Sequence, residues 1–331
     1  MAHPESTGWR LAMAVTLALS LAACGASSAP RVGEPAAPAT VTASPAGRLV
    51  AVGAGPEGIA VDPEAGLIAV AVRSPAAIVV LDRSGSTLRR VALPSSARHL
   101  RFSTSGSLLV PAEQAQQLIQ VDVTSGRIVS STPVGHQPHD AVPFGSRVFV
   151  TNEFSDTLSV IEAVQVVATI PAPKQPGGIA ASTSVLAVLG VRSHTVRFID
   201  AGSLATIATL PAGAGPTHVV GDGEGRFFVT DTVGNALLTY ASSPAPHLVS
   251  RRTVQGTPYG IALDTVHARL FLTLTARNQA VEYHLVGDTL AEVARFSTPR
   301  QPNTVAADPV SGTVFVTGTA DGVVQIMSSF N

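Results

Sequence analysis

From Arg48 onward the chain is a succession of short apolar runs, such as Leu67–Val72, Arg147–Thr151 and Leu270–Leu274, separated by Gly, Asp, Ser and Pro. Short Val-, Ile- and Thr-rich runs between such breakers predict β-strands. Many are apolar at consecutive positions, as in Leu67-Ile-Ala-Val-Ala-Val72. A sheet with one wet face would alternate instead, so these strands are expected to be buried on both faces. A parallel α/β fold also buries strands twice, but it needs amphipathic helices of about 10–15 residues between them. No segment of the chain has that pattern.

The strands recur in a fixed order. A proline-containing turn opens each unit, at Pro56, Ala97 (where alanine replaces proline), Pro138, Pro176, Pro216, Pro258 and Pro302. Successive spacings are 41, 41, 38, 40, 42 and 44 residues. A β-rich repeat of about 40–45 residues is the period of a propeller blade. The seventh unit ends after three strands, while Arg48-Leu-Val-Ala-Val52 precedes the first unit unclaimed. The predicted fold is all-β, a seven-bladed β-propeller whose N-terminal strand completes the last blade and removes its exposed edge.

Residues 1–47 have a different pattern. Arg10 is followed by an apolar run from Leu11 to Leu21 and then by Ala22-Ala23-Cys24, the chain's one cysteine. This arrangement describes a secretory signal peptide over 1–23. With cysteine after the small residues it resembles a bacterial lipoprotein signal (lipobox), in which that cysteine is lipidated and becomes the new N-terminus. A transmembrane anchor needs about 17–25 apolar residues, and polar Gly25-Ala-Ser-Ser follows too soon. Residues 24–47, rich in Pro, Ala, Ser and Thr, are expected to be a flexible lipid-anchored linker, with the propeller over 48–331. The expected location is extracytoplasmic, on the outer leaflet or in the periplasm or cell surface.

Val148-Phe-Val-Thr-Asn152, Phe227-Phe-Val-Thr-Asp231 and Val314-Phe-Val-Thr-Gly318, each after a strand of P-x-G-[IV]-A-V type, resemble the YVTN-repeat propellers, with YncE-like and surface-layer-like proteins as relatives. The resemblance covers nearly all of 48–331. It implies the fold and leaves activity open, because that family includes binding proteins and some lactone hydrolases.

Composition removes several chemistries. With 21 basic and 22 acidic residues the net charge is -1, so neither a nucleic-acid footprint nor a polybasic membrane patch is present. After Cys24 no thiol remains for a disulfide, a thiolate metal site or a nucleophile. Gly53-Ala-Gly55-Pro-Glu-Gly58 matches a dinucleotide fingerprint, yet Pro56 belongs to the repeat and a strand follows, not the helix such a site needs.

Because strands alternate direction, the turn entering each first strand and the turn between second and third strands lie at one end of every blade. Seven copies of each surround one mouth of the central channel. The polar residues placed there are Glu57, Arg73, Arg98, His99, Glu113, His136, His139, Asp140, Asn152, Glu153, Arg192, His218, Asp231, Tyr259, Arg277 and Asn303. Imidazoles and carboxylates converging on a funnel can hold a divalent ion or act as general acid and base. Polar rim residues also hydrate a channel and satisfy backbone groups.

Two functions are therefore open. The first is a non-catalytic binding or scaffold lipoprotein, a monomer presenting the mouth to a small molecule, peptide or envelope protein, with no cofactor. The second is a metal-assisted hydrolase or lyase, similar to lactonase-like and streptogramin-lyase-like propellers. There the divalent-ion ligands are expected among His99, His139, Asp140 and His218. His139, Asp140 and Glu153 would be the acid and base groups, and Arg192 the residue holding an anionic substrate.

Overall fold

The computed structural model describes residues 1–3 and 32–328. Two units divide the chain, residues 1–30 and 31–331, and the second contains the propeller. The apolar run Leu11–Leu21 and Cys24 lie outside the described residues.

Seven four-stranded antiparallel sheets make up the propeller, and no helix occurs among the described residues. Blade 1, for example, comprises Ala54–Asp62, Leu67–Ser74, Ala76–Asp82 and Thr87–Ala92 from the inside outward. The inner three strands are largely buried, whereas the fourth strand of each of the first six blades is mostly exposed.

The doubly apolar pattern has a direct cause. Along Leu67–Ser74, Ala69 and Ala71 point into a core shared with blade 2, while Ile68, Val70 and Val72 point into a core shared with blade 7. Each face of a blade thus fills a different interblade core, and every neighbouring pair of blades has one. Burial at about 25 cal/mol per Å² on both faces is what drives the sheets to stack radially.

The ring closes as the repeat predicts. Arg48–Ala51 pairs antiparallel with Val323–Met327, with Val50 opposite Val324, and completes blade 7. Blades 7 and 1 are further joined by Arg83 Nε donating to Asp308 Oδ2 at 2.6 Å and by Thr319 Oγ1 donating to the Pro56 carbonyl at 2.7 Å.

Two local features aim the polar residues. The residue before the repeat proline adopts a left-handed conformation at Gly55, Gln137, Gln175, Thr257 and Gln301. Immediately after it the ladder slips, between Pro56 and Ile59, Pro138 and Ala141, Pro176 and Ile179, Pro216 and Val219, and Pro258 and Ile261. Such irregularities free residues from strict alternation and re-aim side chains. Here they release the two positions after the proline, which include Glu57, His139, Asp140 and His218.

Residues 32–47, expected to be part of the tether, lie along the propeller without joining a sheet. The Ala36 N–H donates to Thr275 Oγ1 at 3.0 Å, Asn278 Nδ2 donates to the Ala39 carbonyl at 3.0 Å, and Gln325 Nε2 donates to the Ala46 carbonyl at 2.7 Å.

Candidate metal centre in the channel

His99 from blade 2, His139 from blade 3 and His218 from blade 5 converge, and one ring nitrogen of each lies within 4.8 Å of the others. The rings of His99 and His139 stack with centroids 5.0 Å apart, and those of His99 and His218 are 4.7 Å apart. A tetrahedral centre with nitrogen ligands at 2.0–2.1 Å spaces those nitrogens about 3.3 Å apart, so the rings need only draw inward.

Two of the three imidazoles are held by their outer nitrogen. His218 Nδ1 lies 2.8 Å from the carbonyl of Tyr259, which can only accept, so Nδ1 carries the proton and Nε2 keeps its lone pair. His139 Nδ1 lies 3.0 Å from Glu153 Oε2, while its Nε2 is buried without a partner. A carboxylate or carbonyl behind each ring is how metal-ligating histidines are oriented. An unpaired buried nitrogen costs free energy unless something binds it.

Electrostatics favour the ligating form. His99 is pushed well below the ordinary histidine value, first by burial and then by the charges of His139, Arg101 and Arg98. His218 is also pushed well below it, by burial and by His99, against the opposing hydrogen bond to Tyr259. Burial works to raise the Glu153 carboxyl, but the hydrogen bond and charge of His139, the hydrogen bond of Gln175 and the charge of Arg98 prevail and hold it at about 2. Neutral imidazoles at His99 and His218, with an ionised carboxylate orienting the third ring, are a metal-binding combination.

Around the trio runs a second network. Glu153 Oε1 accepts from Gln175 Nε2 at 2.7 Å, and Gln175 Oε1 accepts from Arg192 Nε at 3.1 Å. Arg98 pairs with Glu113 at 2.9 Å, and Arg73 bridges Glu113 and Glu57. Burial acts to lower Arg98, but Tyr259, Glu113, Glu57 and Glu153 outweigh it and raise its pKa, so the cation is fixed. Burial raises the buried Tyr259 hydroxyl, whose ring meets His218 edge-on at 4.4 Å.

Other expected site residues are engaged elsewhere. Asp140 accepts from the N–H groups of Ala141 at 2.8 Å and Ile179 at 3.1 Å, and stands outside the three-histidine group. Asn152 donates to Thr157 and Ser159, and Asp231 accepts from the backbone of Ala214, Gly215 and Gly234, so both brace turns. His136 and Arg277 lie exposed on turns, and Arg192 is also exposed, beside Phe154 and Lys174. Asn303 is buried, its Oδ1 without a partner.

Two features lay outside the sequence expectations. Arg101 reaches from blade 2 to the carbonyls of Ala141 at 3.0 Å and Ile179 at 3.4 Å, across a cavity of about 400 Å³ that also borders His99 and His218. Its signal was legible: the equivalent positions are Ala60, Val142, Ala180, Val220, Ala262 and Ala306, all small or apolar. Val32–Glu34 lies against the other side of the trio, over His139 and Glu153.

No family model matches the sequence, and no curated protein matches it. Solved structures do match the fold. A streptogramin B lyase superposes with TM-score 0.72 at 15% identity, covering 85% of this chain and 98% of that one. A chain of the mitotic checkpoint complex gives 0.75 at 14% identity over 89% and 97%. Hydrazine synthase from Kuenenia stuttgartiensis gives 0.71 at 16% identity over 84% and 96%. At such identities the likeness is one of fold, and these propellers carry unrelated roles.

Proposed function

We propose that this chain holds a divalent transition-metal ion, of the zinc type, on His99, His139 and His218, and uses it to hydrolyse or eliminate a small-molecule substrate in the channel. One observation carries the reading: the imidazoles of His139 and His218 are fixed through Nδ1, leaving Nε2 for a shared ligand. Bound there with an open position, such an ion polarises a carbonyl or acidifies a water. The chain's own part is to hold His99 and His218 neutral, to anchor His139 through Glu153, and to place Arg98 and Arg101 as positive charges on either side.

A binding or scaffold role is the second reading, favoured by the polypeptide segment laid over the mouth. Membership among YVTN-like propellers, lipidation at Cys24 and an extracytoplasmic, membrane-anchored location belong to the same proposal and rest on the sequence alone. Metal analysis of the purified full chain, followed by assay against lactones and esters, tests it. About one zinc per chain with turnover that chelation abolishes is expected. A chain that takes up no transition metal overturns the metal reading, and a metal-loaded chain inert to such substrates leaves the binding role in its place.

A further inference from the structure

Three observations single out the segment over the mouth. Gly33 is packed so closely that a Cβ there would lie 2.7 Å from the Gly215 carbonyl oxygen and 2.8 Å from Thr217 Cγ2, so no other residue fits. Between Val32–Glu34 and the floor of Arg98, His139, Glu153 and Tyr259 only about 10 Å³ is left, roughly the least that admits a water. The hydrogen bonds that hold the segment use its backbone: the Ala36 N–H to Thr275, and the Ala39 and Thr40 carbonyls to Asn278.

We propose that the channel mouth is a peptide-binding site occupied in cis by residues 32–40, which act as an exchangeable lid over His139 and Glu153. Recognition through main-chain groups with a glycine at the closest approach selects an extended peptide and tolerates varied side chains elsewhere. Pro35 and Pro38 bias Glu34 and Ala37 toward extended backbone, so the segment loses little freedom on seating. It belongs to no sheet, and so detaches without breaking a blade. The ligand class is therefore an extended, proline-containing peptide with glycine at the Gly33 position. His99 borders the channel cavity and His218 borders both that cavity and the lid side, whereas His139 borders only the lid side, so the lid governs His139.

This lid rests on the assignment of the histidine trio as the working centre, but its test uses no metal. In the full metal-free chain, acylation of His139 by diethylpyrocarbonate is followed by mass spectrometry, with exposed His247 and His284 as internal references. Gly33→Val is expected to speed modification of His139 by about tenfold or more. Ala36→Pro, which removes the N–H bonded to Thr275, gives the same direction should the valine variant fold poorly. Adding the synthetic peptide Val32–Thr40 in trans to Gly33→Val restores protection, and the same peptide carrying valine for glycine does not. Equal His139 reactivity with and without a seated lid, or a native peptide that protects nothing, overturns the proposal. A lid that behaves as described on a chain that binds no zinc refutes the metal reading alone.

Discussion

His139 Nδ1 stands 3.0 Å from Glu153 Oε2, and the other oxygen of that carboxylate is taken by Gln175 at 2.7 Å. The imidazole is thus steered from behind by a group that is itself held in place. Such outer partners typically account for about 10–100-fold in metal affinity. Glu153→Gln is therefore expected to weaken zinc binding by that factor while leaving the circular dichroism spectrum unchanged. Competition with a fluorescent zinc chelator measures it. An unchanged affinity would mean that His139 is not a ligand.

His218 makes the complementary case. Its Nδ1 donates to a backbone carbonyl, a partner that no side-chain substitution removes, so the ring itself must go. His218→Ala should reduce cobalt uptake from about one per chain to a small fraction, with loss of the visible bands of a tetrahedral ion. His247→Ala, on the exposed fourth strand of blade 5, should change nothing. Retention of full stoichiometry in His218→Ala would place the ion elsewhere.

The fold was legible because its physics repeats. Each strand must fill two interblade cores, so the unbroken apolar runs and the repeat prolines carry the architecture in the sequence. The centre was only half legible. The two positions after the proline, or after Ala97 where alanine replaces it, name His99, His139 and His218, but a side chain's target there depends on how the ladder slips. That slip turns Asp140 to the N–H groups of Ala141 and Ile179, which no spacing discloses. Asn152 and Asp231 look like rim ligands in sequence and are turn braces in space. Residues 32–40 have the composition of a free tether, and only the approach of Gly33 to Gly215 reveals a docked strand of chain.

Interblade burial predicts a contrast between two apolar residues of blade 7. Phe315 is fully buried in the core between blades 7 and 1, packed with Ile59 and Ile68 across the ring closure. Phe315→Ala should cost about 3–5 kcal/mol in chemical denaturation. Leu49, on the closing strand, is 45% exposed, and Leu49→Ala should stay within about 0.5 kcal/mol of wild type. Equal losses at both sites would argue against interblade packing as the main source of stability.

The proposed lipid anchor rests on one atom, the Cys24 sulfur. Cells expressing the full chain should hold it in the detergent-rich phase on Triton X-114 partition, and Cys24→Ser should shift it to the aqueous phase. The mass of the mature wild-type N-terminus should carry a diacylglyceryl group. Aqueous partition of the wild type would remove the anchor and leave the propeller argument untouched.

Arg269 in blade 6 is shared unequally by two carboxylates, and their responses to pH should differ in sign. Its Nη2 donates to Asp264 at 2.8 Å, whereas Glu282 lies 3.7 Å away. Burial works to raise Asp264, but hydrogen bonds from Arg269 and His267 win and lower it below its ordinary 3.8. For Glu282 burial prevails over the more distant arginine and raises its pKa. A lowered folded pKa contributes stability above the unfolded value that is lost as pH falls through the folded one. Asp264→Asn, which leaves Arg269 buried without its close partner, should cost about 3 kcal/mol at pH 7. That deficit should shrink below pH 3.8, as the wild-type carboxyl becomes protonated. Glu282 works the other way: its charge is a burden that appears as pH rises above 4.5 and through the raised folded value. Glu282→Gln removes that burden together with a weak pairing, so neutral-pH stability should remain within about 1 kcal/mol of wild type. Urea midpoints of both variants between pH 3 and 7 measure the two trends. A deficit in Asp264→Asn that grows on acidification would show that Arg269 takes its main support from Glu282.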